Sequence, residues 1–235
     1  MPAMMRISVV LPCYNEEENI AIAVRETLAW LDAAGIGGEV IVVNDGSKDG
    51  SADVIGKFCK EDARVRVVTH EQNRGYGVAV RSGCDAAKEE SIAFVDSDRQ
   101  FHPADLSLLL PHLEKFPVVV GRRRKRADPF MRNVFGKVLG CLIFVVFGIW
   151  IRDVNCGMKV FRKSVWPKIR PEHGTEKFFN AELFLRMRRE KIIWRQIDVP
   201  HYPRLAGNPT GGSMRVIVNM FREIWNLKKA MHANT

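Results

Sequence analysis

Ile92-Ala93-Phe94-Val95-Asp96-Ser97-Asp98-Arg99-Gln100-Phe101-His102-Pro103 is the stretch on which the fold turns. A short apolar run, with the length and character of a buried strand, ends in two aspartates one residue apart. Pro103 and the periodic Leu106, Leu109 and Leu110 then predict a helix. The carboxylates therefore stand where a strand gives way to a loop, the place where ligands bind in open α/β sheets. Two carboxylates held this close call for a cation between them. Their hard oxygens suit Mg²⁺ or Mn²⁺ shared with a diphosphate. Asp-Ser-Asp also suits a solvated turn with a helix cap. The stretch alone does not choose between the two.

Upstream, the same alternation repeats. Arg6 to Leu11 reads as a strand closed by Pro12-Cys13-Tyr14-Asn15-Glu16, and a helix with Ile20, Val24, Leu28 and Leu31 on one face follows. Glu17 and Glu18 fall in its first turn, where acids complement the helix dipole. Glu39 to Val43 predicts a second strand, Ser51 to Glu61 a helix, Val65 to Thr69 a third strand and Val78 to Glu89 a helix rich in small residues. Strands alternating with amphipathic helices predict a mostly parallel sheet with helices on both faces. Pro12, Tyr14, Asp45, Gly75, Asp96 and Asp98 then all follow strand ends along one sheet edge, a convergence that a turn does not explain.

Composition narrows the class. The 235 residues are 46% hydrophobic and 27% charged, ordinary for a globular enzyme-sized domain. Cys13, Cys59, Cys84, Cys141 and Cys156 are odd in number and lack metal-ligand spacing, which favours reduced thiols in a cytoplasmic setting. The N-terminal residues lack the apolar core of a signal peptide. A net charge of +9 calls for an anionic partner, and it gathers in Arg122–Arg126, in Arg186–Arg195 and around Arg215, Arg222, Lys228 and Lys229. No G-x-G-x-x-G follows the first strand, and neither a P-loop nor a G-x-S-x-G elbow occurs. The basic cluster resembles a nucleic-acid patch, but no aromatics interleave it and no nucleic-acid-binding motif is present, so nucleic acid is not the expected partner.

Leu11-Pro12-Cys13-Tyr14-Asn15-Glu16, Val42-Val43-Asn44-Asp45-Gly46-Ser47, Asn73-Arg74-Gly75-Tyr76-Gly77, the Asp96–Pro103 stretch, Gly121-Arg122 and Asp153–Lys159 occur in that order. Together they resemble the family 2 glycosyltransferases of GT-A fold, above all their polyprenyl-phosphate branch: dolichol-phosphate mannose synthases and dolichyl- or polyprenyl-phosphate glucosyltransferases. The resemblance implies roles. Pro12, Tyr14, Glu16, Val43 and Asp45 would hold base and ribose, with Gly75 and Ser97 lining the same donor pocket. Asp96 and Asp98 would be the D-x-D metal ligands, while Gln100, Arg122 and Arg132 would line the diphosphate and acceptor phosphate. Arg204 would close over the donor from a later loop. It also implies a nucleotide-sugar donor, GDP-mannose or UDP-glucose, a polyprenyl phosphate acceptor, and inversion at the sugar.

The chain departs from the family pattern in places. Asn44 replaces a first aspartate, Arg99 replaces a leucine and would add a cation beside the metal, and Gly207–Thr210 lacks the usual lysine. The hydrophobic helices that many relatives carry after the catalytic domain are absent, which leaves room for a small membrane-anchoring subunit. The expectation is one catalytic domain over 1–235, with a nucleotide-sugar half (1–120) and an acceptor- and membrane-facing half (121–235). In the second half Val138 to Ile151 is wholly apolar or glycine. As a helix it would reach roughly 21 Å, short of a bilayer core of roughly 30 Å. With basic residues just before it, the segment reads as interfacial on the inner face of a membrane, or as a core helix. His102 reads as a helix-entry residue, and Asp153 as an acid that orients backbone or an arginine. A soluble or cell-wall acceptor, or a non-catalytic basic adaptor, are the competing expectations.

Overall fold

The computed structural model describes residues 5–124, 140–141, 144–145, 148, 150–176 and 178–204. Arg132, half of the apolar run, the Gly207–Thr210 loop and the basic C-terminal residues lie outside them.

The described strands form one seven-stranded sheet in the order β3-β2-β1-β4-β6-β5-β7. They are β1 (Arg6–Cys13), β2 (Gly37–Asp45), β3 (Val65–His70), β4 (Ser91–Val95), β5 (Val118–Arg123), β6 (Met158–Arg162) and β7 (Trp194–Val199). The helices are α1 (Glu17–Ala33), α2 (Ser51–Glu61), α3 (Tyr76–Ala86), α4 (Leu106–Leu109), α5 (Trp166–Ile169) and α6 (Phe178–Arg189). Every pairing is parallel except those of β6, which runs against β4 on one side and β5 on the other.

Burial on both faces explains the continuous apolar strands. Ile7, Val9 and Leu11 of β1 point into a core with Ile20, Val24 and Leu31 of α1 and Ile55 and Phe58 of α2. Val10 points the other way, into a core with Ala79 and Val80 of α3 and Phe178, Phe179 and Phe184 of α6. The small residues of α3 allow its close approach. A Cβ on Gly83 would lie 2.3 Å from Val10 Cγ1. Helix α1 ends in a Schellman turn, with Gly35 at φ +61° and Ile36 N–H donating to Leu31 O.

The predicted helix after Pro103 is broken into 3₁₀ turns at Pro103–Asp105 and Leu110–Glu114 on either side of α4. Pro111 lacks the N–H that a continuous helix needs. Helix α3 starts two residues before its expected position and stops at Ala86.

The chain winds from β1 outward to β2 and β3, then returns to lay β4 on the other flank of β1. The crevice between the carboxyl ends of β1 and β4 is thus the topological switch point. Because β6 is antiparallel, it delivers its amino end to this same edge, pairing Met158 with Val95. Residues entering β6 consequently meet residues leaving β4.

Candidate active site

Ser97 hydroxyl donates to Pro12 O at 2.5 Å, stitching the two flanks of the crevice together. Asp96 follows β4 directly, and its N–H donates to Gly157 O at 3.1 Å. Tyr76, first residue of α3, donates its hydroxyl to Asp96 Oδ1 at 2.9 Å. Gly157 lies against the opposite side of that carboxylate: a Cβ there would fall 1.9 Å from Asp96 Oδ2. Burial first, then the negative charge of Asp98, push the Asp96 carboxyl up to about 7.

Asp98 Oδ1 accepts from the Gln100 N–H, and Arg204 Nη1 lies 3.3 Å from Oδ2. The same guanidinium reaches Glu16 Oε1 at 2.5 Å. One arginine thereby spans two acids from opposite sides of the crevice. Burial raises the Glu16 carboxyl, while Asn19 and Arg204 pull it down. Arg204 arrives because Tyr202 N–H donates to Gln100 O at 3.0 Å, with Gln100 Nε2 3.4 Å from Tyr202 O. Gln100, expected to line the diphosphate, is the anchor of the segment that carries Arg204.

Arg99 does not add a cation beside the aspartates as expected. It sits at φ +61° and turns its guanidinium to Glu26 of α1 at 3.5 Å. His102 stands at the entry to the first 3₁₀ turn and also meets Glu26, at 3.2 Å.

At the end of β2, Asp45 is buried and fully engaged. It accepts from His70 Nδ1 (2.6 Å), Arg74 N–H (3.0 Å) and Gly75 N–H (2.9 Å). This fixes the loop into α3, where Gly75 takes φ +98° and Gly77 N–H donates to Thr175 O. Val43 points its side chain into the core beside Gly83, so only its backbone faces the sheet edge. Tyr14 is half-buried at the mouth of the crevice. Asn44 Oδ1 accepts from Ser47 N–H three residues on and so holds the turn that leaves β2. Glu17 does more than complement a dipole, since its carboxylate accepts from Gly50 N–H at the start of α2.

Toward the far side of the sheet, Arg122 pairs with Asp198, and Arg123 forms a buried bidentate pair with Asp153. Asp153 thus orients an arginine, as read from the sequence. Glu182 of α6 was not foreseen. Its buried carboxylate accepts from the N–H groups of Glu172, His173 and Gly174, holding the loop that packs on Gly75 and Gly77. Tyr76 and Gly157 lay within quoted motifs without a role, whereas nothing in the sequence pairs His70 with Asp45.

Among the described residues no group of three or more His, Cys, Asp and Glu side chains is placed to hold a metal. Asp96 and Asp98 are two hard carboxylates with a deficit of positive charge between them. That donor set fits Mg²⁺ or Mn²⁺ shared with phosphate oxygens.

The family model described as Glycosyl transferase family 2 matches residues 8–184. A dolichyl-phosphate beta-glucosyltransferase, ALG5D, of Trichomonas vaginalis is 25% identical over 249 residues, covering 94% of this chain and 76% of that protein. An undecaprenyl-phosphate 4-deoxy-4-formamido-L-arabinose transferase of Shewanella sediminis is 30% identical over 219 residues, covering 92% of this chain and 64% of that protein. Among solved structures, glucosyl-3-phosphoglycerate synthase from Mycobacterium tuberculosis, in complex with Mn²⁺, uridine diphosphate and phosphoglyceric acid, superposes with a TM-score of 0.71. It is 21% identical and covers 94% of this chain and 78% of that one. This last likeness carries the fold, which is the GT-A glycosyltransferase fold.

Proposed function

The chain belongs to glycosyl transferase family 2, and on that premise we propose that it moves a hexose from a nucleotide diphospho-sugar to a polyprenyl phosphate. The observation that supports this best is the acid pair Asp96/Asp98 at the β1/β4 switch point, faced by Glu16 and by the guanidinium of Arg204. The names of the relatives, dolichyl-phosphate and undecaprenyl-phosphate sugar transferases, support the lipid acceptor.

Asp96 and Asp98 would hold Mg²⁺ or Mn²⁺, which when bound neutralises charge on the departing nucleoside diphosphate as a Lewis acid. Pro12, Tyr14, Glu16 and the backbone at Val43 line the nucleotide end of the crevice. Asp45 and Gly75 shape the neighbouring loop, and Arg204 covers the diphosphate. Arg122, at the end of β5 and paired with Asp198, would face the acceptor phosphate; Arg132, expected from the sequence to join it, lies outside the described residues. The acceptor is largely dianionic at pH 7 and serves as its own nucleophile. Its oxygen forms the new bond to the anomeric carbon as the bond to the diphosphate oxygen breaks, and that oxygen keeps the electron pair. Configuration inverts, and no side-chain base is needed. Orientation of two anions by fixed arginines supplies the rest of the rate.

Phe144, Val145 and Trp150 are 49%, 78% and 63% exposed, and among the described residues no helix is long and apolar enough to cross a membrane. Exposed aromatics next to basic residues support a peripheral position on the inner face of a membrane, with residues 121–235 as the acceptor-facing half. Such a chain accommodates a small anchoring subunit.

The test is a panel of radiolabelled GDP-mannose and UDP-glucose with polyprenyl phosphate in detergent, with and without Mn²⁺. A lipid-linked product from one donor is expected. Asp98→Ala should reduce it on the order of 10³-fold, the scale of several kcal/mol of charge stabilisation. Full activity in that variant sinks the metal assignment. Absence of lipid product from every donor redirects the reading to a soluble phosphorylated or sugar acceptor.

A further inference from the structure

Lys159 of β6 is fully buried, 0% exposed, and among the described residues it forms no ion pair. Its Nζ donates to Cys156 O at 2.6 Å and to Asn180 Oδ1 of α6 at 2.7 Å. It also lies over the Phe94 ring at 5.1 Å and the Phe184 ring at 6.0 Å. Burial pulls its ammonium down to about 8.

A buried cation whose direct contacts are neutral acceptors and rings, with Asp153 and Asp96 acting on it only through longer-range attraction, costs several kcal/mol that these interactions offset in part. A methionine would fill the same space without that cost. Packing therefore does not account for a lysine here, so its two hydrogen bonds must be judged by what they hold. Cys156 immediately precedes Gly157, whose carbonyl receives the Asp96 N–H and whose Cα touches the Asp96 carboxylate. The Cys156–Gly157 turn is the floor on which Asp96 rests. Lys159 ties that floor to α6 from beneath.

We propose that Lys159 is a positioning residue of the donor site: through the Cys156 carbonyl it fixes the Gly157 turn that sets the Asp96 carboxylate. Asn180 is the second anchor of the same strut. The inference rests on the reading of Asp96 and Asp98 as ligands of a divalent cation. Groups that orient metal ligands typically carry 10–100-fold of metal affinity.

The experiment is Mn²⁺ binding to the full chain, without nucleotide, followed by electron paramagnetic resonance, together with thermal unfolding. Lys159→Met is expected to weaken Mn²⁺ binding roughly 10–100-fold, with a modest fall in unfolding temperature from the two acceptors it leaves unpaired. Asn180→Ala should weaken binding in the same direction. The double variant should be no worse than the weaker-binding single, because the two residues form one strut. A purely structural lysine lowers the unfolding temperature but leaves Mn²⁺ affinity within twofold of the parent, and that result overturns the proposal. If Lys159→Met does not fold, Asn180→Ala decides by the same affinity criterion. Asp98→Ala is the control. Parental Mn²⁺ affinity in that variant defeats the donor-site reading and this inference with it. Loss there with retention in Lys159→Met defeats this inference alone.

Discussion

Asp45 and Asp96 close two parallel strands on the same sheet edge, one at the end of β2 and one directly after β4. Asp45 accepts three hydrogen bonds, all from its own chain, and these fasten His70, Arg74 and Gly75 around it. Asp96 accepts one, from Tyr76, while Asp98 repels it from two residues away. A carboxylate with its acceptor sites filled by the chain is part of the frame. One left with a spare oxygen beside a second carboxylate is arranged for something that arrives later. The two halves of the crevice therefore divide between shaping and binding, and three experiments bear on that division.

The largest effect is expected from Gly157→Ala. A methyl group 1.9 Å from Asp96 Oδ2 must displace the carboxylate or the turn beneath it. Transfer activity should fall at least about 100-fold, the usual cost of misplacing a reacting geometry by an ångström, while far-UV circular dichroism stays unchanged. Near-parental activity would show that the Asp96 position is not critical and would dissolve the contrast.

Asp45→Ala comes next and acts on the frame. Removing the carboxylate strands the buried Gly75 N–H, the part-buried Arg74 N–H and an imidazole, at about 3 kcal/mol by the cost of unmet partners. In a chain of this size that lowers the unfolding temperature by roughly 6–12 °C. A stability change below about 0.5 kcal/mol would return Asp45 to a ligand-binding role alone.

The third experiment is the most diagnostic. The Asp96 carboxyl is raised to about 7 in the folded protein, against about 3.9 in an unfolded chain. The folded state thus holds this proton more tightly. The corresponding stability is complete below about pH 4 and is lost as pH rises through 7. Asp96→Asn should flatten this part of the pH–stability profile of the metal-free protein, measured by thermal melts. An unchanged slope would place the strain elsewhere.

Much of this edge was legible in advance. Four strand–loop junctions were placed within two residues, and helix Ser51–Glu61 matches its expected span, because apolar periodicity and turn residues report local backbone state directly. Asp153, read as orienting backbone or an arginine, does both at Arg123. The illegible parts are long-range. The union of His70 with Asp45 spans two strand ends, Glu182 reaches back over a loop, and Arg99 escapes to Glu26 because a left-handed backbone swings its side chain away. Periodicity carries no information about such partners. The antiparallel entry of β6 was equally silent, since strand direction leaves no mark on the five residues Met158–Arg162. Without that direction, the contact between Asp96 and Gly157 could not be foreseen.

The place of β6 has a further consequence, for synthesis. Strands β4 and β5 leave the ribosome first, yet they are neighbours only through β6. Until β6 emerges, both present bare hydrogen-bonding edges of apolar sequence toward a gap, which is the kind of surface that invites pairing with another chain. At about 5–20 residues per second that gap stays open for roughly a few seconds. The nascent protein is most exposed to misassembly just before the strand that completes its binding edge slides into place.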